Sequence, residues 1–215
     1  MARIPAHVLL LAIACAWLTA ACTPFHRPPS PPPTAAYLLD GKTESSSRIP
    51  TPAANGPVVT VPRTRSAPGL DTDLMAYVTE PHRLDHFAYH RWARKPADMF
   101  HRALTRSLAE SGAFSAVLDG SSPARADLLL ETDSFSLIQF FEKGASRIEM
   151  EINARIVDLT DRSVRAERTF HVSEPTHQPD PVSGVEAANR ALSRILEEMT
   201  DWIGWVITAG ENAGP

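Results

Sequence analysis

Only two cysteines, Cys15 and Cys22, occur in the 215 residues, and no run of basic side chains stands out. With so few thiols the chain has no disulfide framework, and its stability must come from an apolar core. The lack of a basic cluster and a formal charge of −4 argue against a nucleic-acid partner. The one N-terminal apolar run, Val8 to Trp17, falls short of the roughly 20 residues that a helix needs to cross about 30 Å of hydrocarbon. H-E-x-x-H, G-x-S-x-G and a Gly-rich phosphate loop are all missing, which removes the zincin, α/β-hydrolase and P-loop chemistries.

What is present begins with a signal segment. Arg3 supplies a positive n-region, Val8 to Trp17 the apolar h-region, and Thr19, Ala20 and Ala21 the small residues a signal peptidase accepts. Cys22 follows at once, and Leu18-Thr19-Ala20-Ala21-Cys22 has the pattern of a bacterial lipobox. On this reading residues 1–21 are removed and Cys22 becomes the acylated (palmitate-type) first residue, with several chains at about 0.8 kcal/mol per buried methylene giving durable anchoring. Cys15, after Leu11-Ala12-Ile13-Ala14, is a competing site, but it places bulky Ile13 beside the cut. An ordinary secretory signal is the alternative. Loss of Arg3 with the signal takes the formal charge from −4 to −5.

Residues 22–36 then form a linker. Pro24, Pro28, Pro29 and Pro31 to Pro33 cannot pack and favour polyproline II, whose rise of about 3.1 Å per residue gives a reach on the order of 40 Å. The domain is expected over 37–208, with a polar loop at 40–56 and a disordered tail at 209–215. Tyr37-Leu38-Leu39 reads as its first strand, Val58 to Val61 as the second, and Leu74 to Val78 with Leu84 to Tyr89, separated by Glu80-Pro81, as a hairpin or paired strands.

Pro96 to Ser111 is predicted to be a helix, from Phe100, Leu104 and Leu108 at helical spacing, stopped by Gly112. The strand expected at Ala113 to Leu118 would complete a strand-helix-strand unit, normally a right-handed parallel crossover. Strict alternation of Ile148, Met150, Ile152, Ala154 and Ile156 with polar residues predicts a strand with one wet face. Asp127 to Phe141 is its expected antiparallel neighbour, and the slip in its pattern predicts a bulge near Asp133-Ser134. Val164 to Val172 is the third strand, where Arg168 breaks the pattern and should lie near an edge or find a partner. A closing helix starts at Ser183, read as N-cap of a capping box with Glu186, and runs to about Thr208. The fold class is therefore α+β: a single two-layer domain with a mixed, mostly antiparallel sheet of about five to seven strands packed by two helices.

Several residues merit a functional reading beside a structural one. Arg91-Trp92 is either a docking anchor or an aromatic packed at the helix entry, with Tyr89 just before it. Phe140 and Phe141 point to opposite strand faces, so one should be buried and the other exposed. Trp205 falls on the polar side of the last helix and, with the exposed Phe, is the best candidate for an apolar contact surface. Apolar surface along Phe135 to Phe141 would also suit a lipid tail. His82, His86 and His90 are spaced by four, but in an extended segment His86 and His90 would be roughly 13 Å apart, too far for one ion. No metal, cofactor or catalytic residue is expected, and a metal-dependent hydrolase is the disfavoured reading.

Tyr37-Leu38-Leu39, Arg91-Trp92 with Pro96 four residues on, Leu104 and Leu108, Gly112-Ala113-Phe114 with Val117, Asp127-Leu128-Leu130, and a last helix ending in a Trp together resemble the ABC-type transport auxiliary lipoproteins. The Pro-rich linker and the loop Lys42 to Asn55 are longer than that pattern. The resemblance implies a non-enzymatic docking body facing the periplasm, usually at the outer membrane. Its implied partners are an inner-membrane ABC permease and ATPase complex and a mammalian-cell-entry-domain lipid-binding protein, with phospholipid and further copies of the chain as additional candidates. Thr23 rather than Asp after Cys22 fits outer-membrane sorting. The alternative is an envelope-assembly lipoprotein that supports a β-barrel or lipopolysaccharide export.

Overall fold

The computed structural model describes residues 33–41 and 56–211, with side chains to 209. The signal segment, Cys22, most of the linker, the loop 42–55 and the last four residues lie outside that range. From Thr34 onward the chain is one compact unit. Its elements are β1 (Ala35–Tyr37), β2 (Val58–Val61), β3 (Leu74–Glu80), β4 (Arg83–Trp92), α1 (Pro96–Ser111), β5 (Ala116–Asp119), β6 (Leu128–Glu142), β7 (Ala145–Asp158), β8 (Val164–Pro175) and α2 (Pro181–Glu211). The architecture is α+β, two helices on a mixed sheet of eight strands.

β6 is the spine. One side pairs antiparallel with β7 along its whole length, and β7 pairs in turn with β8. The other side is shared: Val59 and Thr60 of β2 pair parallel with Leu128 and Leu129, while Tyr77 and Val78 of β3 pair parallel with Gln139 and Phe140. The irregular segment between β2 and β3 fills the gap, with Ser66 bridged to Phe135 and the Thr64 hydroxyl 2.7 Å from that of Thr132. The bulge lies where the pattern slips. Ser134 has φ +56° and the register shifts between Asp133 and Ser136, so the buried set changes from Leu128, Leu130 and Thr132 to Phe135, Leu137 and Gln139. Without that extra residue the second half of β6 would turn its apolar side to water.

α1 keeps its predicted bounds. Pro96 lies in its first turn, Gly112 ends it at φ +71°, and the buried Phe100 packs its ring 4.9 Å from that of Phe135. α2 buries Ala188, Leu192, Ile195 and Met199, and its Trp202 ring meets Phe170 of β8 edge to face at 5.5 Å. Leu192, Ile195 and Met199 each contribute about 1.5–3 kcal/mol on removal from water. The opposite sheet face is polar, with Arg155 between Glu131 and Glu167. Arg168 lies on the edge strand β8, exposed, and stacks its guanidinium 4.7 Å over the Phe170 ring, so both expectations for it are met.

Four expectations need correction. The first strand is Ala35–Tyr37, not Tyr37–Leu39, so two residues read as linker pair with His90 and Arg91. Past Tyr37 the backbone leaves the sheet for the helices: the Leu39 N–H donates to Met99 Sδ, and those of Asp40 and Gly41 to Asn189 Oδ1. The unit β4–α1–β5 is not a parallel crossover, because β4 runs antiparallel and β5 parallel to β6. β4 ends beside the middle of β6 and β5 starts beside its beginning, so α1, about 24 Å long at 1.5 Å per residue, continues the direction of β4 and only β5 returns. The strand expected from Ala113 starts instead at Ala116. Finally, α2 begins at Pro181, with Asp180 as its N-cap: Asp180 Oδ1 accepts the Ser183 N–H at 2.8 Å and the Ser183 hydroxyl donates to Oδ2. Pro181 at the first helical position suits this cap, and the helix runs to Glu211, past the expected Thr208.

Candidate functional site

Two tight hairpins meet at one end of the sheet. Between Glu80 and Arg83 the turn is Pro81-His82, with Pro fixing the first central φ and His82 at φ +65°, the pattern of a type II turn. Between Glu142 and Ala145 the turn is Lys143-Gly144, both at positive φ, which matches the right-handed twist of the strands it joins. A cavity of about 610 Å³ opens between them, floored by Val78, Leu84 and Phe140, with Phe141 at its edge.

Phe140 and Phe141 do leave the strand on opposite faces, but both are half-buried rather than one buried and one exposed. Phe141 joins an aromatic belt, 5.9 Å from Tyr77 and 6.2 Å from Phe87, each edge to face. The belt continues through His90 to Tyr37, whose hydroxyl lies 3.0 Å from His90 Nδ1. Phe140 lies on the other face, beneath Arg147, with the guanidinium 5.3 Å from the ring centroid. The rim is charged but internally matched: Arg147 Nε is 2.8 Å from Glu149, and Arg83 Nε 2.8 Å from Asp85. An apolar floor under a neutralised rim suits an acyl chain or an apolar side chain better than a free anion.

The remaining candidates do not join this groove. Trp92 is 2% exposed, inside the core, and its backbone N–H donates to the Asp73 carbonyl. The docking reading is therefore corrected in its case, since a buried ring offers no surface to a partner. Arg91 beside it is exposed and ion-paired to Asp73 at 3.4 Å. Tyr89 is exposed on the stretch of β4 that β1 leaves uncovered. Trp205 is 67% exposed, as its helical position implies, but it lies at the far end of the molecule. Gly184, near the start of α2, abuts Gln139, whereas Ile207 lines a cavity with Leu128 and Asp158. Twenty helical residues lie between Gly184 and Trp205, roughly 30 Å, so Trp205 and the phenylalanines are two surfaces and not one. Cys22 lies outside the described residues.

The three histidines are put to separate uses, His82 in a turn, His86 beside Ala76 and His90 against Tyr37. Among the described residues no group of three or more His, Cys, Asp or Glu side chains is placed to hold a metal ion, and no helix is long and apolar enough to cross a membrane. Val78, Leu84 and Arg147 belong to the groove but were not singled out from the sequence. Each lies within three residues of a hairpin turn, a position that carries no meaning until the two hairpins are known to be neighbours.

A search of curated proteins finds no match. Among solved structures, a Xanthomonas campestris protein is similar with TM-score 0.66 at 21% identity, over 83% of this chain and 95% of that one. A hypothetical protein from Chlamydia trachomatis has TM-score 0.51 at 10% identity, over 72% and 99%. At such identities the likeness is one of fold. The sequence pattern of the ABC-type transport auxiliary lipoprotein component matches residues 37–200, from the end of β1 through two thirds of α2. Spanning most of the chain in the order strand, hairpin, helix, long meander and closing helix, that match means the chain belongs to the ABC-type transport auxiliary lipoprotein family.

Proposed function

We propose that this protein is a non-enzymatic adaptor of an ABC-type, mammalian-cell-entry-like lipid transport system, moored at the outer membrane through acylated Cys22 and facing the periplasm. The observation that carries this reading is the open groove at the paired hairpins, in a chain whose family is one of transport auxiliary lipoproteins. Val78, Leu84 and Phe140 offer apolar surface on rigid strands, which is what recognition of a lipid tail or an apolar anchor residue requires. A linker of about 40 Å would let the body reach a partner in the periplasm while staying tethered.

Purification from solubilised membranes of the producing bacterium tests this. Recovery of a mammalian-cell-entry-domain protein with a permease and an ATPase supports the adaptor. Recovery of a β-barrel protein instead would assign the chain to outer-membrane assembly.

A further inference from the structure

α1 and the segment after β1 form a second surface, away from the groove. Arg94, Arg102 and Arg106, three cations against the single carboxylate of Asp40, surround a concavity of about 190 Å³ whose floor includes Leu39 and Met99. Nearby cations are neutralised, Lys95 by Asp71 at 2.8 Å and Arg91 by Asp73. Arg94 and Arg102 are exposed and meet no carboxylate among the described residues. Arg106 is anchored by donating to the Asp40 carbonyl at 2.7 Å.

Beside them Leu38 is 63% exposed. Its exposure is built in. The Leu38 carbonyl accepts from Asn189 Nδ2, and the next three N–H groups are held by Met99 and Asn189, so the backbone is fixed between both helices while the side chain points outward.

We infer that this surface docks on the anionic headgroup layer of a phospholipid membrane, with Arg94 and Arg102 at the phosphates and Leu38 entering the interface. The charge and the apolar residue complement an anionic amphiphilic surface, and arginine is the side chain best suited to phosphate oxygens. The choice of a membrane over an acidic protein rests on the tethered reading above, because a tether raises the local concentration enough for two or three arginines to suffice.

The test uses residues 22–215 carrying Cys22→Ser, so that no acyl chain contributes, and cosedimentation with vesicles of phosphatidylethanolamine and phosphatidylglycerol against vesicles of phosphatidylcholine. The expected result is a preference for the anionic vesicles that falls about fivefold for each of Arg94→Gln and Arg102→Gln. Leu38→Ser lowers binding to both vesicle types. Arg125→Gln/Arg162→Gln, the same charge change on other loops, leaves most of the binding intact. Equal binding to both vesicles, or equal losses for the two arginine pairs, overturns the inference. So does capture of an acidic protein by a chain that ignores vesicles. Failure of Cys22 acylation in the cell would not alter these vesicle results, so the two claims fail separately.

Discussion

Gln139 of β6 and Gly184 of α2 touch so closely that a Cβ on Gly184 would lie 2.8 Å from the Gln139 side-chain carbon, with the amide oxygen closer still. The same amide donates through Nε2 to the Ser146 hydroxyl and to the Asp180 carbonyl, each at 3.0 Å. One buried side chain thus joins the spine of the sheet, the first residues of β7 and the cap of the long helix.

Gly184→Ala should therefore cost stability, about 1–3 kcal/mol as for other overpacked sites, although alanine is the better helix former. Gly204, on the same helix with nothing within 4 Å of an added Cβ, should gain roughly 0.5–1 kcal/mol from the same change. Urea denaturation of the two variants is expected to shift in opposite directions.

The helix start supplies a second prediction. Asp180→Ala should lose about 1 kcal/mol, whereas Ser183→Ala should lose less, because Asp180 carries the cap. Thermal unfolding distinguishes them, and the reverse order would restore the Ser183 cap read from the sequence.

That reversal illustrates where the sequence was legible. Period-two and period-3.6 patterns located β7, α1 and most of α2, since each buries one face against one neighbour. The slip from Leu128 and Leu130 to Phe135 and Leu137 even placed the bulge. Direction and adjacency were not local properties: nothing in Leu84 to Tyr89 says that β4 will be reversed relative to β6, or that its tip will meet the Lys143 turn. Phe140 and Phe141 could thus be named, but not the groove that Phe140 shares with Leu84, nor the distance that separates them from Trp205. Asp180-Pro181 was readable as a helix start and was outweighed by the Ser183–Glu186 spacing.

Acid should weaken the fold at the far end of the sheet. The Thr160 N–H, at 2.7 Å, and then the Arg165 guanidinium stabilise the Asp158 carboxylate and hold its pKa below the ordinary value. A carboxylate so depressed adds stability above its unfolded pKa, near 4, and that stability is lost as the pH falls through its lower folded value. Asp158→Asn should cost about 1–2 kcal/mol at neutral pH. The gap to the parent should close with acidification through and below that range, as urea midpoints across pH would show.

Two tryptophans separate core from surface. Trp92→Ala should lose about 3–5 kcal/mol, while Trp205→Ala should stay within about 0.5 kcal/mol. If Trp205 is a contact residue, its replacement will reduce partner recovery without moving the unfolding midpoint.

Mass spectrometry of the mature N-terminus, on protein taken from the membranes of the producing bacterium, bears most directly on the tethered-adaptor account. A chain that begins at residue 22 with diacylglycerol and a further acyl group on that cysteine is the result predicted. A free thiol at that position, or a start at any other residue, would contradict the account.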